Sequence, residues 1–355
     1  MLAQPQTQTG ASVTTTSSRS ASPTIAFIAE ELGVSVPTVS KVLNGRPDVS
    51  PATRERVEEA LRRHGYKRRR AVTPTGAPPL VDLVIHELGS VWALEIIQGV
   101  ERAAAEAGVG VVLSTLGGSH HPEQDWLDRV LARRPVGVIL VMSRLDPVQR
   151  HQLESRSIPF VVVDTDGETP ADVATVGSNN WHGGLSATRH LLGLGHRRVA
   201  VVSGPDDVLC SRARIDGFRS AHEELRLSVD PGLVRYGNFA VEGGYRQGRE
   251  LLDRPDRPTA IFAGSDMQAL GVLRAARELG LRVPEDLSLV GYDNLPLSAW
   301  VDPPLTTVNQ PLHEMAATAT RMLVDTGTSQ GGRLRRVDLA TDLVVRGSTA
   351  APPEG

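Results

Sequence analysis

Cysteine is all but missing: the 355 residues contain one, Cys210. A single thiol closes no internal disulfide, so nothing points to an oxidising compartment. No apolar run approaches the roughly 20 residues that span a bilayer. The N-terminal stretch MLAQPQTQTGASVTTTSSRSASP has no basic start followed by an apolar core, so it does not read as a secretory leader. Its Ser, Thr, Gln and Pro content predicts a disordered tail, and the protein as a whole reads as cytoplasmic. No His, Cys, Asp or Glu cluster has metal-ligand spacing, so neither metal nor cofactor is expected. A nucleophile motif, a P-loop and a dinucleotide loop are also lacking, which argues against an enzyme. Aromatic residues make up only 4%, so each one near a strand end draws notice.

What is present has the balance of a globular protein, 40% hydrophobic and 22% charged, and the length supports more than one domain. The net charge of -3 hides an asymmetry. Residues 24–70 carry ten Lys or Arg against six acids, so a small basic unit precedes a larger acidic one. The stretch AVTPTGAPP (71–79) follows, and its prolines deny both helix and central strand. From Leu80 onward β-branched runs such as LVDLVI, VGVILV and PFVVV alternate with amphipathic stretches such as WALEIIQGVERAAAEAG. A second series begins near Trp181 with RRVAVV, TAIF and LSLVGYD as its strands. That alternation predicts parallel sheets covered on both faces, in two lobes, with ligand beyond the carboxyl ends of the strands.

The basic unit reads as three short helices. Thr24 caps a first helix, Ile25 to about Leu32, which Gly33 ends in the left-handed conformation. Ser35 caps a second, Val36 to Leu43, with Pro37 in its first turn, where a missing amide donor costs little. Val39, Val42 and Leu43 turn inward; Thr38, Ser40 and Lys41 are left outward. The third has Ser50 as cap, Pro51 at its first position and Gly65 as its stop. A second helix presented as a protruding rod suits the major groove of DNA, the alternative being a hairpin for protein contacts.

TIAFIAEELGVSVPTVSKVLNG followed by VSPATRERVEEALRRHGY resembles the LacI family of transcriptional repressors across the whole basic unit. The resemblance implies that Val36, Pro37 and Lys41 meet base edges, and that Ser35, Thr38, Ser40 and Asn44 hold phosphates or the helix start. Thr24, Arg54, Arg68, Arg69 and Arg70 complete the expected DNA-facing set. Val36 and Pro37 offer only apolar contact, as to a thymine methyl, which leaves Lys41 as the polar reader or as a phosphate contact. After Tyr66 the sequence departs from the family: Pro74 falls inside the expected hinge helix, and no leucine stands at the wedge position. No hinge helix is therefore expected. The run from Lys67 to Arg70 tracks phosphates, enters a narrow minor groove, or is a solvated basic linker.

The motifs GLGHRRVAVVSGP, SRARIDGF, TAIFAGSDMQALGVLRAARELGLRVPEDLSLVGYDN and PPLTTVNQP extend the resemblance to LacI-family effector domains, which share the fold of periplasmic sugar-binding proteins. The expected fold is an all-α helix-turn-helix DNA-binding domain followed by an α/β two-lobed periplasmic-binding-protein-like domain with parallel sheets. Its parts are a tail (1–22), the DNA-binding domain (23–68), a linker (69–79) and the effector domain (80–350). The first lobe is expected at about 80–178 plus 309–334, and the second at about 179–305 plus 335–348.

Sugar sites combine flat aromatic rings with carboxylates, amides and arginines that bond hydroxyl pairs. Candidates at the strand ends are His86, Glu87, Ser90 and Trp92, then Asp164, Trp181, Arg214, Phe239, Asp293 and Gln310. Ser265 is taken as a ligand neighbour and Asp266 as the helix cap beside it. The bland readings are that Trp92 and Trp181 pack beside helix starts and that Arg214 and Asp293 form a structural ion pair. The aromatic bias favours a sugar over a nucleobase, although a purine would also stack. The expected protein is a homodimeric repressor of double-stranded operator DNA, released by a small sugar, with no membrane partner. The alternatives are a corepressor such as a purine, an activator, or a sugar-binding transport protein.

Overall fold

A computed structural model describes residues 24–43, 49–64, 66, 78–165, 167, 170, 172–325 and 336–353. The chain divides into two compact units, Met1–Arg70 and Ala71–Gly355. The tail, the linker, Asn44, Gly65 and Arg68 to Arg70 lie outside the described residues, and with them the expected disorder and the hinge question.

In the first unit, α1 (Ile25–Leu32), α2 (Val36–Leu43) and α3 (Pro51–Arg63) follow the predicted boundaries. Thr24 Oγ1 accepts from Phe27 N at 3.2 Å, and Gly33 takes φ 65° so that its amide closes back on α1. Ser35 and Ser50 cap the other two helices through Thr38 N and Thr53 N. Ile28, Ala29, Val39, Val42, Val57 and Ala60 interlock as a small core. Arg56 clamps α3 to the end of α1 by donating to Leu32 O at 2.9 Å.

The second unit opens with β1 (Leu80–Ile85), α4 (Val91–Glu106), β2 (Gly110–Thr115), α5 (Gln124–Arg133), β3 (Gly137–Val141), α6 (Pro147–Ser155), β4 (Phe160–Val163) and β5 (Ala174–Ser178). It crosses into α7 (Asn180–Gly193), β6 (Val199–Ser203), α8 (Leu209–Glu224), β7 (Val234–Tyr236), α9 (Val241–Leu252), β8 (Ala260–Ala263), α10 (Asp266–Glu278), β9 (Ser288–Asp293) and β10 (Thr306–Asn309). It returns through α11 (Leu312–Asp325) and β11 (Arg336–Leu339), then crosses again to β12 (Asp342–Val344). The first sheet runs β11-β5-β4-β3-β1-β2 and the second β12-β10-β9-β8-β6-β7. Every pairing is parallel except that of β12 with β10. Near-continuous apolar strands such as Val81–Ile85 are what helices on both faces require. The one charge within that strand, Asp82, is fully buried and takes Arg133 Nε at 3.3 Å and Nη2 at 2.5 Å. No helix among the described residues is long and apolar enough to cross a membrane.

One boundary differs from expectation. Residues 335–348 were assigned to the second lobe, but β11 pairs with β5 from Arg336↔Thr175 to Leu339↔Ser178 and belongs to the first. Only from Asp342 does the chain join the second sheet.

Two helices of the second lobe approach at glycine, and that approach places a site residue. A Cβ on Gly184 would meet Arg214 O at 2.1 Å, and one on Gly217 would meet Trp181 O at 2.1 Å and Leu185 N at 2.6 Å. The α7–α8 crossing is thus backbone on backbone, with Asn180 and Arg214 facing across it. Gly217→Val is expected to destabilise this unit by about 3 kcal/mol, because backbone cannot yield as a side chain can. All four tryptophans (92, 126, 181 and 300) lie in this unit. The midpoint of urea unfolding followed by tryptophan fluorescence checks the prediction directly.

Candidate functional site

The described DNA-facing candidates lie on a three-helix scaffold and differ in exposure. Val36 is 39% exposed, Pro37 and Lys41 are exposed, and Thr38 and Ser40 are half-buried. Val39 and Val42 of α2 are buried. Ser35 Oγ and Thr38 Oγ1 lie 2.8 Å apart at the helix start, which sets the tip of the rod. Thr24 is exposed and Arg54 half-buried. The four basic residues after Tyr66 and Asn44 lie outside the described residues.

In the second unit, Arg214 on α8 is almost wholly buried, at 3% exposure. Its guanidinium carbon lies 3.6 Å from the ring centroid of Tyr292 and 5.4 Å from that of Phe239. Nε donates to Asn180 Oδ1 at 2.9 Å, and Nη1 donates to Gly264 O. The Tyr292 hydroxyl also donates to Asn180 Oδ1, at 3.2 Å. Nη2 makes no hydrogen bond to protein among the described residues, so one edge of the guanidinium has no protein partner there.

Two buried carboxyls act on that cation, Asp164 beyond β4 and Asp293 at the end of β9. Both stand at positive φ, 46° and 105°, and both are less than a tenth exposed. Burial lifts each above the usual carboxylate range, and the Arg214 charge opposes the lift. The hydrogen bonds of Arg214 go to Asn180 and Gly264, and the two carboxyls act on it through charge. Gln310 ties the floor together. Its Nε2 donates to Asp164 Oδ2 at 2.7 Å and Ser178 Oγ at 3.0 Å, while Oε1 accepts from Trp92 Nε1 at 3.3 Å. A depression of about 290 Å³ lies alongside, lined by Asp293, Asn294, Asn309 and Gln310 among others. Phe239, half-buried at φ 60°, covers Gly204, where a Cβ would meet the ring at 2.1 Å.

Other candidates take different positions. Ser90 caps α4, accepting from Trp92 N at 3.2 Å. The helix cap expected at Asp266 is instead Ser265. Ser265 caps α10 through Gln268 N and donates to Phe239 O, so its hydroxyl already holds two partners. Asp266 is buried below, accepting from Thr307 Oγ1 at 2.6 Å and Leu295 N at 2.7 Å. The helix begins one residue earlier than the sequence pattern marked, which is the physical reason. Trp181, in the first turn of α7, is 43% exposed. His86 is half-buried and Glu87 exposed on the rim of the first lobe. Asn180, Tyr292, Gly264 and Ser178 escaped the sequence reading, although Tyr292 adjoins Asp293 in GYDN and Asn180 lies in GSNN. Among the described residues no group of three His, Cys, Asp or Glu could hold a metal ion.

Burial pushes Asp266 up to about 7, against the pull of Thr307, Leu295 and Arg346. Between the ordinary 3.8 and about 7 the folded chain keeps a proton that the unfolded chain has lost. Stability from this group therefore falls as pH rises through that window and levels off above it. The difference in unfolding midpoint between the wild type and Asp266→Asn is expected to decline from pH 4 to pH 7 and then hold constant. A difference independent of pH would show that Asp266 does not titrate there.

A helix-turn-helix unit joined to a two-lobed α/β domain with a buried polar cleft defines a DNA-binding regulator with a ligand-sensing domain. Comparison with known proteins agrees. The family model of bacterial regulatory proteins, lacI family, matches residues 24–69, and that of a periplasmic binding protein-like domain matches 188–349. The HTH-type transcriptional repressor CytR of Escherichia coli (strain K12) is 34% identical over 335 residues, covering 93% of this chain and 97% of its own. The HTH-type transcriptional regulator CelR of Thermobifida fusca is 38% identical over 336 residues, covering 92% and 98%. The solved transcriptional regulator CelR–cellobiose complex superposes with a TM-score of 0.69 at 36% identity, over 92% of this chain and 99% of that one. The lac repressor dimer bound to operator and the anti-inducer ONPF gives a TM-score of 0.67 at 28% identity, over 93% and 99%. This chain belongs to the lacI family of bacterial regulatory proteins.

Proposed function

We propose that this regulator is a homodimeric repressor released from a near-palindromic operator by a neutral di- or oligosaccharide held between the lobes, and that it catalyses no reaction. The observation that carries the sugar reading is the set of buried carboxyls, Asp164 and Asp293, around the free edge of Arg214, with Trp92 and Phe239 nearby. Carboxylates accept hydroxyl protons, the guanidinium donates to hydroxyl oxygens, and aromatic faces cover C–H surfaces. Two acids beside one base supply hydrogen-bond donors and acceptors together, which suits an uncharged polyol. The exposed tip of α2, with Val36, Pro37 and Lys41, is the base-reading surface. The cellobiose complex of the CelR relative supports a sugar of this length. Ligand releases DNA only through a difference in its affinity for the DNA-bound and released states.

The test is fluorescence anisotropy of labelled DNA from beside this gene, titrated with protein and then challenged with mono- and disaccharides. Tight, salt-sensitive binding released by one sugar is the expected result. Strengthening of the complex by a sugar or a purine would make this protein a corepressed regulator instead.

A further inference from the structure

The rim of the first lobe carries a second polar feature that the floor of the cleft does not use. Gly117 and Gly118, at φ 60° and 91°, turn the loop after β2 back toward β1. Gly118 N donates to His86 O at 3.1 Å, and Arg144 N donates to His120 O at 3.0 Å. The loop is thereby laced to the ends of both β1 and β3. The result is a parallel stack of His86 on His120, with centroids 4.1 Å apart and planes at 4°.

The hydrogen bonds fix the chemistry of this pair. His86 Nδ1 lies 3.0 Å from Ser119 O, and His120 Nδ1 lies 2.6 Å from Met142 O. A carbonyl only accepts, so each Nδ1 carries a proton, and the neutral tautomer that this selects has Nε2 as its acceptor. Neither Nε2 has a protein partner among the described residues. Two such acceptors thus belong to one stacked pair, whose rings are held by backbone carbonyls rather than by mobile side chains.

Their position follows from the strand order. Asp164 directly follows β4, His86 directly follows β1, and β3 lies between the two strands. With neighbouring strands about 4.8 Å apart, the two are separated by roughly 10 Å along the carboxyl edge. One sugar ring held by Asp164 and Arg214 does not cover that distance, whereas a linked pair of rings does.

We infer that His86 and His120 form a second-ring subsite, taking hydroxyl protons from the distal residue of an uncharged disaccharide and setting the length of effector that this cleft prefers. The inference rests on the sugar reading above and extends it. The experiment is calorimetric titration of the full chain with glucose, cellobiose, cellotriose, maltose and lactose. The wild type is expected to bind at least one disaccharide about ten times tighter than glucose. His86→Phe and His120→Phe keep a flat ring but lose the acceptor, and each is expected to cut disaccharide affinity about tenfold, one hydrogen bond's worth. Glucose affinity is expected to stay the same. His86→Gln, whose Oε1 reaches the place of Nε2, retains the preference, while His86→Asn, whose oxygen falls at Nδ1, loses it. Variants that bind disaccharide as the wild type does overturn the subsite and leave the sugar reading standing, as does a wild type without preference for two rings. A wild type that binds none of the five sugars overturns both readings.

Discussion

Arg214→Ala is expected to lower effector affinity at least about 100-fold while operator binding stays within twofold of the wild type. A charged hydrogen bond made in a buried site contributes about 1.5–3 kcal/mol, and the free edge of Arg214 is placed to make more than one. The variant also loses the lid over Tyr292 and leaves Asn180 Oδ1 with only the tyrosine hydroxyl. Its fold survives for an electrostatic reason. Arg214 is what pulls Asp164 and Asp293 downward against burial. Without it both carboxyls are pushed further toward the neutral form, which burial already favours. Arg214→Lys keeps the charge but not the planar stack or the bond to Asn180, and is expected to recover little of the affinity. Calorimetry with the sugar that releases the wild type measures the first effect, and anisotropy on the same operator measures the second. Normal release of DNA by sugar in Arg214→Ala would remove the cleft from this location.

Much of this arrangement is legible along the chain, and the exceptions share a cause. The three helices of the first unit are fixed by local signals (Thr24, Ser35 and Ser50 as caps, Gly33 as a stop), so their limits could be read directly. Arg214 and Asp293 sit in motifs that carry their own markers, RIDGF and GYDN. Gln310 was singled out for the ligand, yet its partners are Asp164, Ser178 and Trp92, all more than a hundred residues away in sequence. Only the crossing of the chain between lobes brings them together, and the side chain becomes a tie that holds the carboxyl. Asn180 is similar: its bond to Arg214 depends on the close approach permitted by Gly184 and Gly217. The strands RVDL and DLV are separated by two residues, and nothing in their composition says that they pair in different sheets. Local chemistry is legible; pairing across the fold is not.

Val39→Asp separates the two units most sharply. Val39 has no exposure and packs among Ile28, Ala29, Val42, Val57 and Ala60. An unpaired carboxylate there costs several kcal/mol, whether it stays charged or takes a proton. A unit of this length holds in reserve only on the order of 5 kcal/mol, since each residue contributes about 0.05–0.15. Operator binding is therefore expected to vanish, with at least about a 1000-fold loss in the anisotropy titration. The effector domain has its own sheets and cores, so sugar affinity and the urea midpoint read by tryptophan fluorescence are expected to be unchanged. Val36, three residues earlier at the exposed start of the same helix, supplies the control. Val36→Ala removes apolar contact without touching the core, so it changes which operator is preferred while the helix still forms. Equal loss from both substitutions would mean that α2 does not present one face to the core and the other to DNA. Loss confined to Val39→Asp, with altered preference in Val36→Ala, places the reading of DNA on the outer face of a helix that the inner face holds in place.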